Sequence, residues 1–321
     1  MQSASPKDGR FELVSEGVVA IDTEFVRPRM DASHLLFDSG RAAFVDTGTA
    51  YSVPNLLAAL AAQDLDPDTV DYILLTHVHL DHAGGVGPLA AALPRARVLV
   101  HPRGLAHIVD PSILAAATKA VYGEARFAEE YGELSGVPAE RVAAAEDGQR
   151  VRVGRRDLEL IHTPGHALHH LSIVDRDAAE VFTGDTFGVS YRELDPAAGE
   201  FIFPTTSPSQ FDPQQLHASI RRILDYKPRS AYLTHYSRVN RVEALAADLH
   251  ADIDAFVRIA QSVADGPQRA ARMVPLLFEH LSQRLASHGY TGSEARQHAV
   301  LDGDIELNAA GLELWLARRK N

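Results

Sequence analysis

Short apolar runs at 17–21, 33–37 and 41–45 alternate with turn residues, and Asp38-Ser39-Gly40 between the last two has hairpin chemistry. They predict a β-rich segment over 11–44. A helix is expected over 53–62, starting near Pro54. Residues 71–75 are apolar on both faces, as in a buried strand. Helix resumes over 84–93 and strand over 97–101. Strands return at 151–153, 158–163, 171–174, 181–183 and, last, 230–234. Asp212 and Pro213 supply an N-cap and first-turn residue for a helix reaching about 224.

Two segments break this rhythm. Residues 104–134 read as helical, with Ala115, Ala116, Ala117, Ala120, Val121 and Tyr122 together. From 242 onward the pattern is helical only. Leu245, Leu249, Ile253, Phe256, Ala260 and Val263 recur at three- and four-residue spacing. Further helices are expected near 274–285, 293–301 and 308–318. The organisation is a core over 11–241 carrying a helical insertion at about 104–134, then a C-terminal helical extension over 242–321.

Composition narrows the function. Of 321 residues, 45% are hydrophobic and 23% charged, as in a soluble enzyme, and no apolar run nears the ~18 residues of a membrane span. Residues 1–10 are polar and lack the apolar centre of a signal peptide, so a cytoplasmic protein without membrane partners is expected. There is no cysteine, which excludes disulfides, zinc–thiolate sites, iron–sulfur clusters and thiol nucleophiles. The net charge of −12 argues against a nucleic-acid surface.

The chemistry concentrates in Thr76-His77-Val78-His79-Leu80-Asp81-His82, directly after the buried strand. Three imidazoles and a carboxylate packed so densely would leave buried polar atoms unpaired without a cation among them. Zinc favours these ligand types. Three further ligand-type residues also follow strands: His166 in Thr-Pro-Gly-His, Asp185 in Thr-Gly-Asp-Thr, and His235 after Ala-Tyr-Leu-Thr. Together they supply seven ligands for two metals, with Asp185 as the natural bridging carboxylate.

At this point the chain resembles the metallo-β-lactamase-fold hydrolases, in particular glyoxalase II and its relatives. Asp46 in Val-Asp-Thr-Gly, the His77/His79/Asp81/His82 loop, His166, Asp185 and His235 carry the likeness, in family order. The resemblance implies an α/β fold, a four-layer αββα sandwich with metals at one edge between two sheets. It implies His77, His79 and His166 on one ion, and Asp81, His82 and His235 on the other. Asp46 would orient a ligand or the loop. The cofactor expected is a pair of divalent ions, zinc first, with iron or manganese as alternatives. His169 departs from the family, where a glycine commonly stands. His170 beside it reads as structural.

The implied reaction is hydrolysis of a small ester, thioester or lactone by a hydroxide that the two metals hold near neutral pH. Asp81 would carry the nucleophile's proton to the leaving group. Tyr191 is a candidate oxyanion support, weighed against a surface-loop tyrosine, and Tyr236 has similar standing. Phe201, Phe203 and Phe211 read as packing before pocket wall. Lys119 and Tyr122, one helical turn apart, could meet an anionic substrate, although a solvated lysine is the plainer reading. The basic residues with which glyoxalase II holds glutathione are not identifiable in the C-terminal helices. Rival readings are a phosphodiesterase on the same metals, a one-iron persulfide dioxygenase, a diiron domain needing a flavin partner, and a non-enzymatic binding module. The partner expected is a small-molecule substrate, and the helical extension could also pair two chains as a homodimer.

Overall fold

The computed structural model describes residues 9–206 and 210–319. The first half builds one sheet and its helices. Strands β1 (Phe11–Ser15), β2 (Val18–Asp22), β3 (Ala32–Asp38) and β4 (Arg41–Val45) form an antiparallel meander. Ser39 and Gly40 make the β3–β4 turn, both with positive φ, as a two-residue hairpin requires. Helix α1 (Val53–Ala62) leads to β5 (Val70–Leu74), then α2 (Leu80–Ala83), α3 (Val86–Ala92) and β6 (Arg97–Val100). The insertion is α4 (Leu105–Val109), α5 (Ser112–Tyr122) and α6 (Glu124–Glu130), followed by β7 (Val142–Ala144). From β4 to β7 the strands run parallel, in the order β1 to β7.

The second sheet contains β8 (Gln149–Val153), β9 (Arg156–His162), β10 (Leu171–Asp175) and β11 (Glu180–Gly184). After α7 (Pro213–Asp225) come β12 (Ser230–Leu233) and β13 (Ser237–Val239). The order is β13-β12-β11-β10-β9-β8. Helices α8 (Val242–Ser262), α9 (Arg269–Ser287) and α10 (Glu294–Arg318) complete the chain. Asp212 caps α7, accepting a bond from the Gln215 N–H at 2.9 Å.

Alternation along the strands sorts side chains into layers. Val18, Leu36, Ala43, Val45, Leu74 and Leu99 pack against Leu158, Leu160, Ile173 and Phe182 between the sheets. Their neighbours Val19, Ile21, Leu35, Phe44, Ile73 and Val98 face α1, α3 and α4. The outer face of the second sheet, with Ile161, Val174, Val181 and Leu233, shares a core with α7, α8, α9 and α10. The αββα sandwich is therefore present, with the C-terminal helices in one of its outer layers.

Several sequence expectations need correction. The strand at 230–234 is not the last, because β13 follows it as a short polar edge. β7, also short, has no counterpart among the expected strands, while β1 opens the segment over 11–44 that was expected to be β-rich. The helices expected at 293–301 and 308–318 are one, α10, running through Gly303. Burial of Val300, Leu301, Ile305 and Leu312 against α8 and α9 outweighs the local cost of glycine in a helix. The helix expected at 84–93 begins earlier, as α2 inside the ligand loop. The polar stretch at 1–10 lies largely outside the described residues. Among those described, no helix is long and apolar enough to cross a membrane.

His34 lies between the sheets, its ring 5.4 Å from those of both Phe182 and Tyr232. Burial pushes its pKa down to about 4. The folded state therefore holds it neutral, while the unfolded chain takes up a proton below about pH 6.5. Stability from this group is complete above pH 6.5 and is lost as pH falls toward 4. His34→Gln is expected to flatten the acid limb of the stability profile by up to about 3 kcal/mol between pH 7 and 4, measured by urea unfolding.

Candidate metal centre

Asp46 ends β4 in a left-handed conformation, φ 58°, uncommon for a residue with a side chain. Its buried carboxylate explains the position. It accepts hydrogen bonds from the Thr76 N–H at 2.8 Å, the Thr76 hydroxyl at 2.8 Å and the Thr234 hydroxyl at 3.1 Å. His82 Nδ1 lies 2.8 Å from its Oδ2. One side chain thus joins the ends of β4, β5 and β12. With Nδ1 against Asp46, Nε2 is the His82 nitrogen that faces the cluster.

A second carboxylate, Asp31, stands behind His235 as a close charge. It is fully buried just before β3, and its Oδ1 lies 2.6 Å from His235 Nδ1. The sequence reading missed it, because a lone aspartate in a loop carries no ligand-type signal. His170 supports a third position. Its Nε2 accepts the Asp185 N–H at 3.1 Å, and its Nδ1 sits 3.0 Å from the Thr163 hydroxyl. Gly184 is required here: at φ +48° a Cβ would lie 2.6 Å from His170 Nε2.

These supports gather all seven expected ligand residues. Ligand atoms of His77, His79 and His166 lie within 4.8 Å of one another, as do those of Asp81, His82 and His235 and those of His77, His82 and Asp185. Asp185 reaches both halves. Its Oδ1 is 3.1 Å from His82 Nε2 and 3.5 Å from His235 Nε2, and its Oδ2 is 3.5 Å from His166 Nε2. His79 Nδ1 stands 2.7 Å from His77 Nε2 and 3.1 Å from His166 Nε2.

The electrostatics of this donor set fit a cation. Burial, then neighbouring imidazoles, push His77 and His79 well below the ordinary histidine pKa, so both present lone pairs at close range. Burial pushes the Asp81 carboxyl up to about 6. Burial also opposes charge on His82 and His235, but nearby carboxylates outweigh it and hold both well above their ordinary value. The fold therefore places negative charge that wants positive charge beside it. His82 Nε2 and Asp185 Oδ1 are buried without a well-formed hydrogen bond, as coordinating atoms would be.

Other candidates fall elsewhere. Tyr191 is not a surface residue: it is wholly buried, and its hydroxyl donates to Asp304 at 3.4 Å beneath the Arg27 guanidinium. Its influence on the cavity passes through those two groups, which the sequence reading missed. Tyr236 is buried against Arg29. Phe201, Phe203 and Phe211 belong to the core under α8, α9 and α10. Lys119 lies over Phe127 and near Glu124, away from the donors. The Tyr122 side chain lies outside what the structure describes. The His169 ring approaches His79 at 5.5 Å, beside the donors without joining any donor group.

The family model of the metallo-beta-lactamase superfamily matches residues 26–235. A metallo-beta-lactamase fold-containing protein of Sulfurisphaera tokodaii is 30% identical over 172 residues, 52% of this chain and 61% of the relative. A hydroxyacylglutathione hydrolase of Aeromonas hydrophila is 31% identical over 179 residues, 56% of this chain and 50% of the relative. The match thus spans between half and two-thirds of these curated relatives. A crystal structure of a metallo-beta-lactamase family protein from Thermus thermophilus shares the fold. It has a TM-score of 0.67 and 20% identity, covering 96% of this chain and 95% of the other.

Asp46→Ala removes the anchor of His82 and of the ligand loop. It is expected to weaken divalent-metal affinity by about 10- to 100-fold, read by competition with a chromogenic chelator.

Proposed function

The chain belongs to the metallo-β-lactamase superfamily, and on that premise we propose that it is a dinuclear metal-dependent hydrolase of a small ester, thioester or lactone. The observation that carries the reading is the pair of donor groups joined by Asp185. His77, His79 and His166 would hold one divalent ion, and Asp81, His82 and His235 the other. Zinc suits the all-nitrogen and oxygen donor set. Bound there, the ions would supply a water of lowered pKa and an electrophile for the substrate oxygen.

The chain's own residues do the rest. Asp46 bonds His82 Nδ1, and Asp31 lies beside His235 Nδ1, so in each ring Nε2 is the nitrogen that faces the centre. Asp81 is the partly exposed carboxylate of the set and lines the cavity. It can take the proton of the attacking water and deliver it to the leaving group. Burial of His77, His82, His166 and Asp185 keeps bulk water from competing at the donors. The full donor set favours this reading over a one-iron persulfide dioxygenase. A phosphodiesterase would place a phosphate among cavity carboxylates, which disfavours it.

Purified chain loaded with zinc is expected to hold two ions. Asp185→Asn should lower hydrolysis across an ester, thioester and lactone panel by at least about 100-fold, the upper end of what losing a mere orienting group costs. Full activity in that variant, or a single iron per chain with oxygen uptake on a persulfide, would refute the assignment.

A further inference from the structure

The donors His79, Asp81, Asp185 and His235 form the floor of a cavity of about 460 Å³. Much of its apolar wall comes from three separate segments. Phe25, Val26 and Met30 belong to the loop between β2 and β3, Leu114 to α5, and Val300 and Leu307 to α10. Val26 is 60% and Leu307 37% exposed, so large apolar side chains stand in water at its rim. Solvated rims are ordinarily polar, and an apolar one marks a surface that something apolar covers.

The charged lining residues point the same way. Arg27 is paired with Glu193 at 2.5 Å, and Arg126 with Glu130 at 2.7 Å. One Arg27 nitrogen, Nη2, is buried without a hydrogen bond. It offers a donor, while the guanidinium's charge is already matched. Asp304 and Glu306 from α10 add carboxyls without adding a cation. An anion entering here would meet carboxylates and two arginines that each already face a glutamate.

Gly303 is the third observation. It lines the cavity from within α10, and a Cβ built there meets nothing within 4 Å. Glycine is unfavourable in a helix interior, and no backbone contact requires it here. Its effect is space above the donors.

We propose that the cavity selects neutral substrates carrying an apolar acyl chain, seated along Gly303 between Leu114, Val300 and Leu307, and rejects acyl groups ending in an anion. The reaction assigned to such substrates rests on the hydrolase reading; the selectivity rests on the cavity. The test uses the full-length, zinc-loaded protein with two readouts. One is kcat/KM on p-nitrophenyl esters from acetyl to octanoyl, and on the monoester of adipate beside that of hexanoate. The other is calorimetric affinity for 2-butanone, 2-octanone and 7-oxooctanoate, which cannot be hydrolysed.

Both series are expected to rise with length, by up to about fourfold per methylene. The carboxylate-ended member should fall at least tenfold below its neutral counterpart. Gly303→Leu should abolish the gain from longer chains in both the ester and the ketone series. Leu307→Lys should narrow the gap between 7-oxooctanoate and 2-octanone. A flat ketone series, preference for the anionic member, or an unchanged chain profile in Gly303→Leu would overturn the proposal. A rising ketone series with no ester hydrolysed would uphold the cavity's selectivity and refute the hydrolase reading instead.

Discussion

The Asp46 carboxylate is the interaction on which the rest of the site depends. A buried carboxylate is costly unless its oxygens are satisfied. Here the backbone and hydroxyl of Thr76, the hydroxyl of Thr234 and the imidazole of His82 satisfy it. Those partners sit on segments that are far apart in sequence. Satisfying one anion therefore brings the ends of β4, β5 and β12 together. The left-handed backbone of Asp46 costs of order 1–3 kcal/mol and persists because these bonds hold it.

The same principle recurs outward. Asp46 bonds His82, Asp31 places a charge beside His235, and His170 accepts from the backbone of Asp185. Each donor is thus aimed by a group behind it, so the centre is organised before any cation arrives. The C-terminal helices are held to this arrangement by specific bonds. The Thr206 N–H donates to Asn308 Oδ1 at 2.6 Å, and Arg284 donates to the Ile202 carbonyl at 3.1 Å. They set α10 over the donors, where Asp304, Gly303 and Leu307 line the cavity. The family match ends at 235, so this wall lies outside it.

Much of this was legible in the sequence, and for physical reasons. The donors were readable because ligand-type residues stood at strand ends, where side chains cannot be explained as core. Most strands and helices were readable from apolar periodicity, the layered sandwich from the family resemblance, and the bounds of α1 and α7 from Pro54, Asp212 and Pro213. Asp31, Arg27 and Asp304 were not readable. Each is a single charged residue in ordinary surroundings, and its meaning arises only from segments that tertiary packing brings beside it. The burial of Tyr191 was not readable for the same reason: its hydroxyl meets Asp304 of α10, which is distant in sequence. The break expected inside α10 reflects local glycine chemistry that burial overrides.

The central claim is that the two donor groups hold two divalent ions bridged by Asp185. Anomalous scattering from crystals grown with zinc, recorded on both sides of the metal edge, tests it directly. Two peaks are predicted, roughly 3.5–4 Å apart. One would lie among His77, His79 and His166, the other among Asp81, His82 and His235, with Asp185 between them. A single peak, or zinc bound away from these residues, would contradict the account.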